Sequence, residues 1–95
     1  MAENYKTDFT TAYQAAAAAN VVVKAAPGFL HSIVVGKDVA GGVIEISDHA
    51  SDGDGNVKIY IEGATLKGVY PINANFDKGI TADLTNQTNV TFIYK

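Results

Sequence analysis

From Asn20 onward, short runs of β-branched and aromatic residues alternate with clusters of glycine, asparagine and aspartate. Such runs are typical of β-strands, and such clusters are typical of the turns between them. No helical pattern separates the runs, which argues against a parallel α/β fold. The predicted strands cover residues 21–24, 29–35, 43–48, 57–62, 66–74, 80–84 and 90–94. The prediction is an all-β fold: a small antiparallel β-sandwich, jelly-roll-like or a partly open barrel.

Alternation within the runs predicts which side of each strand faces the core. In the runs 43–48 and 57–62, apolar residues recur at every second position. The inward residues predicted there are Ile44, Ile46, Val57, Ile59 and Ile61. Glu45 and Ser47 are expected to face outward. Burying one isoleucine contributes roughly 1.5 to 3 kcal/mol, so a slip in register would be strongly unfavourable.

The run 29–35 is largely apolar on both sides, and the run 66–74 contains a proline. Strict alternation divides the first run into two faces, with Phe29, His31, Ile33 and Val35 on one and Leu30 and Val34 on the other. Pro71 cannot donate a ladder hydrogen bond, so it predicts an edge strand or a bulge.

The segment before Asn20 follows a different pattern. Tyr5, Phe9 and Tyr13 are spaced by four residues, which places the rings on one side of either a helix or an extended strand. The alanines of residues 15–19 favour a helix, whereas the threonines before them favour an extended chain. We predict an extended N-terminal arm, and its three rings are candidate contacts with a partner or within an oligomer.

The predicted arm covers residues 1–18, and a single sandwich domain follows over residues 19–95. The arm either packs on its own sandwich as an extra strand or docks on a neighbouring subunit or another protein by strand addition. Both arrangements would bury the rings. We expect deletion of residues 1–18 to leave the sandwich folded but to remove oligomerisation or binding to the partner.

Composition narrows the classes of partner. The chain has 95 residues, a net charge of -3 and no cysteine, so we expect one domain without disulfides or thiolate sites. Its seven positive charges are scattered lysines, which excludes the basic face that nucleic-acid binding needs. No secretory signal and no bilayer-length apolar stretch is present, so we expect a protein made in a cytoplasm without membrane contact.

The two histidines do not complete a catalytic pattern. His31 and His49 lie at strand ends, and Ser32 should point to the opposite face of its strand from His31. No nucleophile elbow and no phosphate-binding glycine loop is present. We therefore expect neither an enzyme nor a cofactor.

One acidic cluster follows the third predicted strand. Asp52, Asp54 and Asn56 resemble the opening of a calcium loop, but Val57 and Gly63 stand where that loop has its glycine and its bidentate glutamate. A turn rich in aspartate and glycine explains the same residues without a metal. The three residues are weak candidates for a metal site, and a plain turn is the favoured interpretation.

Several stretches resemble small virion proteins of tailed bacteriophages. They are residues 27–35, the glycine turn with residues 44–48, the Phe-x-x-Gly-Ile stretch in residues 76–82, and the terminal strand at 90–94. The resemblance covers most of residues 20–95, and the Asp52 to Asn56 loop has no counterpart in it.

The resemblance implies a β-sandwich structural protein of the virion. Such a protein would decorate or cement the head surface, bind the major capsid protein, and form an oligomer such as a trimer. The alternative is a carbohydrate-binding or host-adhesion module of a phage tail or fibre, which would use exposed aromatic rings and the acidic loop.

Overall fold

The computed structural model describes residues 9–95, which form eight β-strands and no helix. The seven predicted strands are present within two residues of their predicted bounds, and one further strand precedes them. The strands are β1 (Thr10–Gln14), β2 (Val21–Lys24), β3 (Gly28–Val35), β4 (Gly42–Asp48), β5 (Val57–Gly63), β6 (Gly68–Phe76), β7 (Ile80–Thr85) and β8 (Val90–Tyr94). No helix in this part of the chain is long and apolar enough to cross a membrane.

The strands form two four-stranded antiparallel sheets. Sheet A has the order β1-β8-β3-β6 and sheet B has the order β2-β7-β4-β5. The pairs β1/β8, β2/β7, β3/β6 and β4/β5 are those of one long hairpin rolled up across two sheets, which is the jelly-roll arrangement. The predicted all-β antiparallel sandwich is confirmed, in its jelly-roll form.

The core lies between the sheets. Its buried apolar residues are Val23, Leu30, Ile33, Val35, Ile44, Ile46, Leu66, Phe76, Ile80, Ala82, Leu84, Val90 and Phe92. Ile59 and Ile61 pack against this core, as alternation predicts. Val57 is 40% exposed, so its inward assignment was wrong. Ser47 is buried although it was predicted to face outward. A register shift leaves Lys58 as an extra residue in β5, which turns Val57 away from the core. Ser47 is buried because the β4–β5 loop covers it, and its hydroxyl donates to the Gly53 carbonyl.

A bulge in β3 overturns the predicted division of that strand. Leu30 pairs with Tyr94 and Ser32 pairs with Ile93, so His31 is one residue more than β8 can match. The inserted residue shifts the alternation and brings Leu30 to the core side, where it is fully buried. Strict alternation had placed it on the other face.

Strand β6 is an edge strand of sheet A and carries a bulge, so the prediction from its proline is confirmed. Pro71 pairs with Ser32, and the register shifts before Ala74 pairs with Leu30. Asn73 lies in this shifted stretch with φ 52°, a left-handed conformation that asparagine tolerates better than most residues.

Part of the predicted arm belongs to the sandwich. Strand β1 pairs with β8 at the edge of sheet A, from Thr10 opposite Tyr94 to Gln14 opposite Val90. Residues 10–14 therefore form the extra strand that was one of the two predicted arrangements. Of the three aromatic residues predicted to make contacts, Tyr5 lies outside the described residues.

Candidate functional site

Two cross-strand rows form what we call the sheet A outer face. The row Ala12, Phe92, Ile33 and Tyr70 packs in or against the core. Side chains alternate between the faces of a sheet, so the rows on either side of this one point outward. They consist of Tyr13, Thr91, Val34 and Val69, and of Thr11, Ile93, Ser32 and Pro71. Ser32, which lies at the bulge, is itself buried.

The sheet A outer face is uncharged. The four strands of sheet A contain no aspartate, glutamate, lysine or arginine. The strands of sheet B contain six such residues, Lys24, Glu45, Asp48, Lys58, Glu62 and Asp83. Tyr13 is 60% exposed and Val69 is 65% exposed, at opposite ends of one row. The sandwich therefore presents one neutral, partly apolar side and one side on which acidic residues predominate.

The predicted contact residues Phe9 and Tyr13 both lie along the edge of this face. The Phe9 ring packs against His31 with ring centroids 4.7 Å apart, and the Lys95 ammonium lies 5.4 Å from the Phe9 centroid. The Tyr13 hydroxyl accepts a 2.7 Å hydrogen bond from Asn89 Nδ2, which leaves most of the ring exposed. Phe9 thus has contacts within its own chain, whereas most of the Tyr13 ring is exposed.

The bulge also brings His31 and Ser32 together. His31 Nδ1 and Ser32 Oγ are 3.0 Å apart, within hydrogen-bond distance. The expectation that these neighbours point to opposite faces was wrong, because a bulge suspends the alternation. Within residues 9–95 no carboxylate hydrogen-bonds to His31, so the pair lacks the third group that orients a catalytic histidine.

His49 has a structural role in the β4–β5 loop. Its Nδ1 accepts hydrogen bonds from the backbone N–H groups of Ser51 at 3.1 Å and Asp52 at 2.9 Å. Asp52 Oδ1 accepts from the backbone N–H of Asp54 at 2.8 Å. Gly53 donates to Asn20 Oδ1 at 2.9 Å and accepts from the Ser47 hydroxyl. The predicted acidic turn is thus a folded loop whose hydrogen bonds are made with the protein itself.

Of the predicted candidates Asp52, Asp54 and Asn56, the structure places Asp54 in a cluster with two strand residues. Asp54 lies beside Glu45 and Asp83, and one carboxylate oxygen from each lies within 4.8 Å of the others. Glu45 and Asp83 come together because they are paired across β4 and β7. That pairing depends on the strand order and leaves no signal in the sequence.

Mutual repulsion shapes the titration of this carboxylate cluster. Burial, together with the negative charges of Asp54 and Asp83, raises the pKa of Glu45. A hydrogen bond to Asp83 and the charge of that residue raise the pKa of Asp54. Oxygen ligands of this kind suit a hard cation such as Ca²⁺, although three carboxylates supply only part of the six to eight oxygens it takes.

Asp48 was outside the predicted sites and anchors the turn before β7. Its carboxylate is buried and accepts backbone N–H hydrogen bonds from Asp77 at 3.0 Å and Lys78 at 2.7 Å, with Gly79 at 3.4 Å. Burial alone would raise its pKa, but these three donors and nearby Lys58 outweigh burial and lower it. The bonds fix the β6–β7 turn on the end of β4.

A shallow cleft of about 430 Å³ opens at one end of the sandwich, between the start of β3 and the end of β6. Phe29 and Phe76 line it, together with Lys24, Asp77 and Lys95. The Lys24 ammonium donates to the Lys95 carbonyl at 3.0 Å, so its charge is directed at the protein's own backbone. Neither histidine lines this cleft.

No protein-family model, no curated protein and no solved structure matches the chain.

Proposed function

We propose that this protein is a non-enzymatic structural component of a phage virion. In this role it decorates or cements the head, binds the outer shell through the major capsid protein, and forms a homo-oligomer. The observation that carries the proposal is the uncharged sheet A outer face with its exposed Tyr13 and Val69. The resemblance of residues 20–95 to small virion proteins supplies the virion setting.

The composition of this face is that of a protein-binding surface. The centres of protein interfaces are depleted in charged residues and enriched in aromatic ones, because a charge that loses its water needs a partner. Tyr13 offers a broad ring at a low entropic cost, and the half-buried Val34 lies in the same row.

The proposed mechanism is mechanical. A protein that binds the assembled shell but not its separated subunits stabilises the assembly in proportion to the free energy of that binding. A rigid sandwich across the junction of two shell subunits adds buried area to both sides of the junction. Opening the shell then requires that this area be exposed again.

The neighbouring genes and co-sedimentation with shells test this proposal. A capsid gene beside this one would supply the shell protein for co-expression, and shells would be pelleted with bound chain. We expect the unmodified chain to pellet with shells and Val69→Lys to remain in the supernatant. Val57→Lys is the matched control, because Val57 is an exposed valine on sheet B. Pelleting of Val69→Lys at the level of this control would contradict a role for the face in shell binding, and a gene without virion neighbours would contradict the virion setting.

A second candidate is a carbohydrate-binding module, and a specific arrangement favours it. Tyr60 is 56% exposed and pairs across the strands with Glu45, next to Asp54 and Asp83. An exposed ring beside carboxylates can stack on a sugar while a cation bridges its hydroxyls. Glycan-array binding that needs calcium and is lost in Asp83→Asn would support this candidate. Binding unaffected by a chelator, or no binding, would reject it.

A further inference from the structure

We infer that the partner covering the sheet A outer face is a second copy of this chain, in a two-fold dimer whose A sheets pack face to face. The inference rests on the proposed role of this face in protein binding and names its occupant: the face joins two copies, and the dimer then binds the shell. Four features of the described residues support it: the distribution of charge, the order of residues in one row, the blocked sheet edge, and the size of the face.

The distribution of charge favours a partner whose contact surface is uncharged. A charged partner surface would lose its hydration on a face that offers no aspartate, glutamate, lysine or arginine in its strands. A second copy offers an equally uncharged surface. In the stack B-A-A-B, with sheets about 10 Å apart, the two acidic faces are about 30 Å apart, well beyond the Debye length of about 8 Å at physiological salt.

The exposed row is self-complementary. Tyr13 and Val69 stand at its two ends, with Thr91 and Val34 between them, and the end residues are much more exposed than the middle ones. A two-fold axis that runs between the faces, parallel to the strands, places Tyr13 of each copy on Val69 of the other. This contact joins an aromatic ring to a β-branched side chain, and the two-fold forms it twice.

The free edge of sheet A is poorly suited to a second copy. Pro71 in β6 lacks an N–H group, and the bulge at Asn73 bends the edge strand. Both features oppose the continuous pairing of β6 with another strand. Association through the face avoids them, because it uses side chains and leaves the edge unpaired.

The size of the face fits a weak dimer. Four strands about 4.8 Å apart, up to nine residues long at about 3.4 Å per residue, present a flat area of roughly 500 Å² before side chains are added. Stable interfaces bury about 800 Å² of accessible surface on each partner. The dimer is therefore expected to dissociate on dilution.

Sedimentation equilibrium of the full chain over a range of concentrations tests the inference. We expect the unmodified chain and Val57→Lys to approach the dimer mass at high concentration. Val69→Lys should weaken dimerisation by at least about tenfold, because it buries an unpaired charge twice in each dimer. Circular dichroism and thermal melting establish that each variant is folded. A monomer at every concentration, a trimer, or a dimer insensitive to Val69→Lys would overturn the inference.

Cross-linking tests the predicted position of the two-fold axis. The chain has no cysteine of its own, so only the introduced cysteines can react. An equimolar mixture of Tyr13→Cys and Val69→Cys, treated with a short bismaleimide, should yield more cross-linked dimer than either variant alone. Equal yields would overturn the proposed axis.

Shell pelleting separates this inference from the proposed function. If the unmodified chain is monomeric while Val69→Lys loses shell binding, the second copy is wrong and the proposed function stands. If Val69→Lys is monomeric but still pellets with shells, the dimer stands and the shell contact lies elsewhere.

Discussion

At the scale of single residues, one inserted residue determines which side chains of β3 face the core. His31 is the extra residue of β3, and its presence lets Leu30 and Ile33 both enter the core although they are three positions apart. The same insertion aims the imidazole at Phe9 and at the Ser32 hydroxyl. The histidine that most resembles a catalytic group thus connects the start of β1 to β3.

Gly79 is a residue at which a single methyl group should be costly. A Cβ atom there would lie 2.8 Å from the Ala50 Cα, the His49 carbonyl oxygen and the Lys24 carbonyl oxygen. All three are backbone atoms, so none can move away by a change of rotamer. We expect Gly79→Ala to lower the free energy of unfolding by about 2 kcal/mol or more, measured by urea denaturation.

Gly36→Ala is the matched control for that substitution. Its Cβ would be no closer than 3.4 Å to any neighbour, the nearest being the Asn89 carbonyl oxygen, which is ordinary contact. The control should change stability by less than about 1 kcal/mol. Equal effects of the two substitutions would show that the turn at Gly79 can relax, and that the Asp48 anchor next to it is not rigid.

At the scale of elements, the sequence predicts strands well and their grouping poorly. Turn residues and alternation locate seven strands, because both signals are local. The strand order arises from pairings between distant parts of the chain, such as β1 with β8 and β4 with β7. The uncharged face and the cluster of Glu45, Asp54 and Asp83 both depend on that order. Neither could be assembled from the sequence, although each run of uncharged residues is visible in it.

Strand β1 lies within the predicted arm but pairs in the sandwich, which is one of the two arrangements that the arm pattern left open. Residues 10–14 have the composition of the preceding segment, yet Ala12 packs against the core and all five residues pair with β8. We therefore expect deletion of residues 1–14 to lower the free energy of unfolding by about 2 to 5 kcal/mol, through lost ladder hydrogen bonds and an exposed β8 edge. Thermal melting measures the effect.

Deletion of residues 1–8 is the control for the longer truncation. It keeps every contact of Phe9 and of β1 seen in the structure, so the difference in melting temperature between the two truncations measures what residues 9–14 contribute. A sandwich that melts unchanged without residues 1–14 would mean that β1 is an accessory strand, in agreement with the expectation drawn from the arm pattern.

At the scale of the whole molecule, the two sheets differ in the charge that they carry. Sheet A contributes neutral surface, while sheet B and its loops carry most of the negative charge. Repulsion is concentrated where Glu45, Asp54 and Asp83 meet, and it contributes to the raised pKa values of Glu45 and Asp54. Asp48 has the opposite effect, because backbone N–H groups in the folded state stabilise its ionised carboxylate. Stability should therefore depend on pH in two opposing ways.

A group whose pKa is raised by folding destabilises the fold when it is ionised, so acidification from pH 7 should stabilise the protein as Glu45 and Asp54 take up protons. A group whose pKa is lowered stabilises the fold above its ordinary value, which is 3.8 for Asp48, and this contribution disappears as the pH falls through the lowered pKa. We expect the melting temperature to rise from pH 7 to a maximum at about pH 4 to 5 and then to fall.

Two variants test which carboxylates cause the predicted rise and the predicted fall of the melting temperature. Asp83→Asn removes one charge from the cluster and keeps an oxygen that can accept from the Asn20 N–H, so it should raise stability at pH 7 and reduce the rise on acidification. Asp48→Asn should lower stability at pH 7 and flatten the fall below pH 4, because its amide cannot ionise. Asp83→Asn and the unmodified chain could instead have the same melting temperature at every pH. Repulsion in the cluster would then be too weak to affect stability, and solvent would screen the three carboxylates, including the two that β4 and β7 hold side by side.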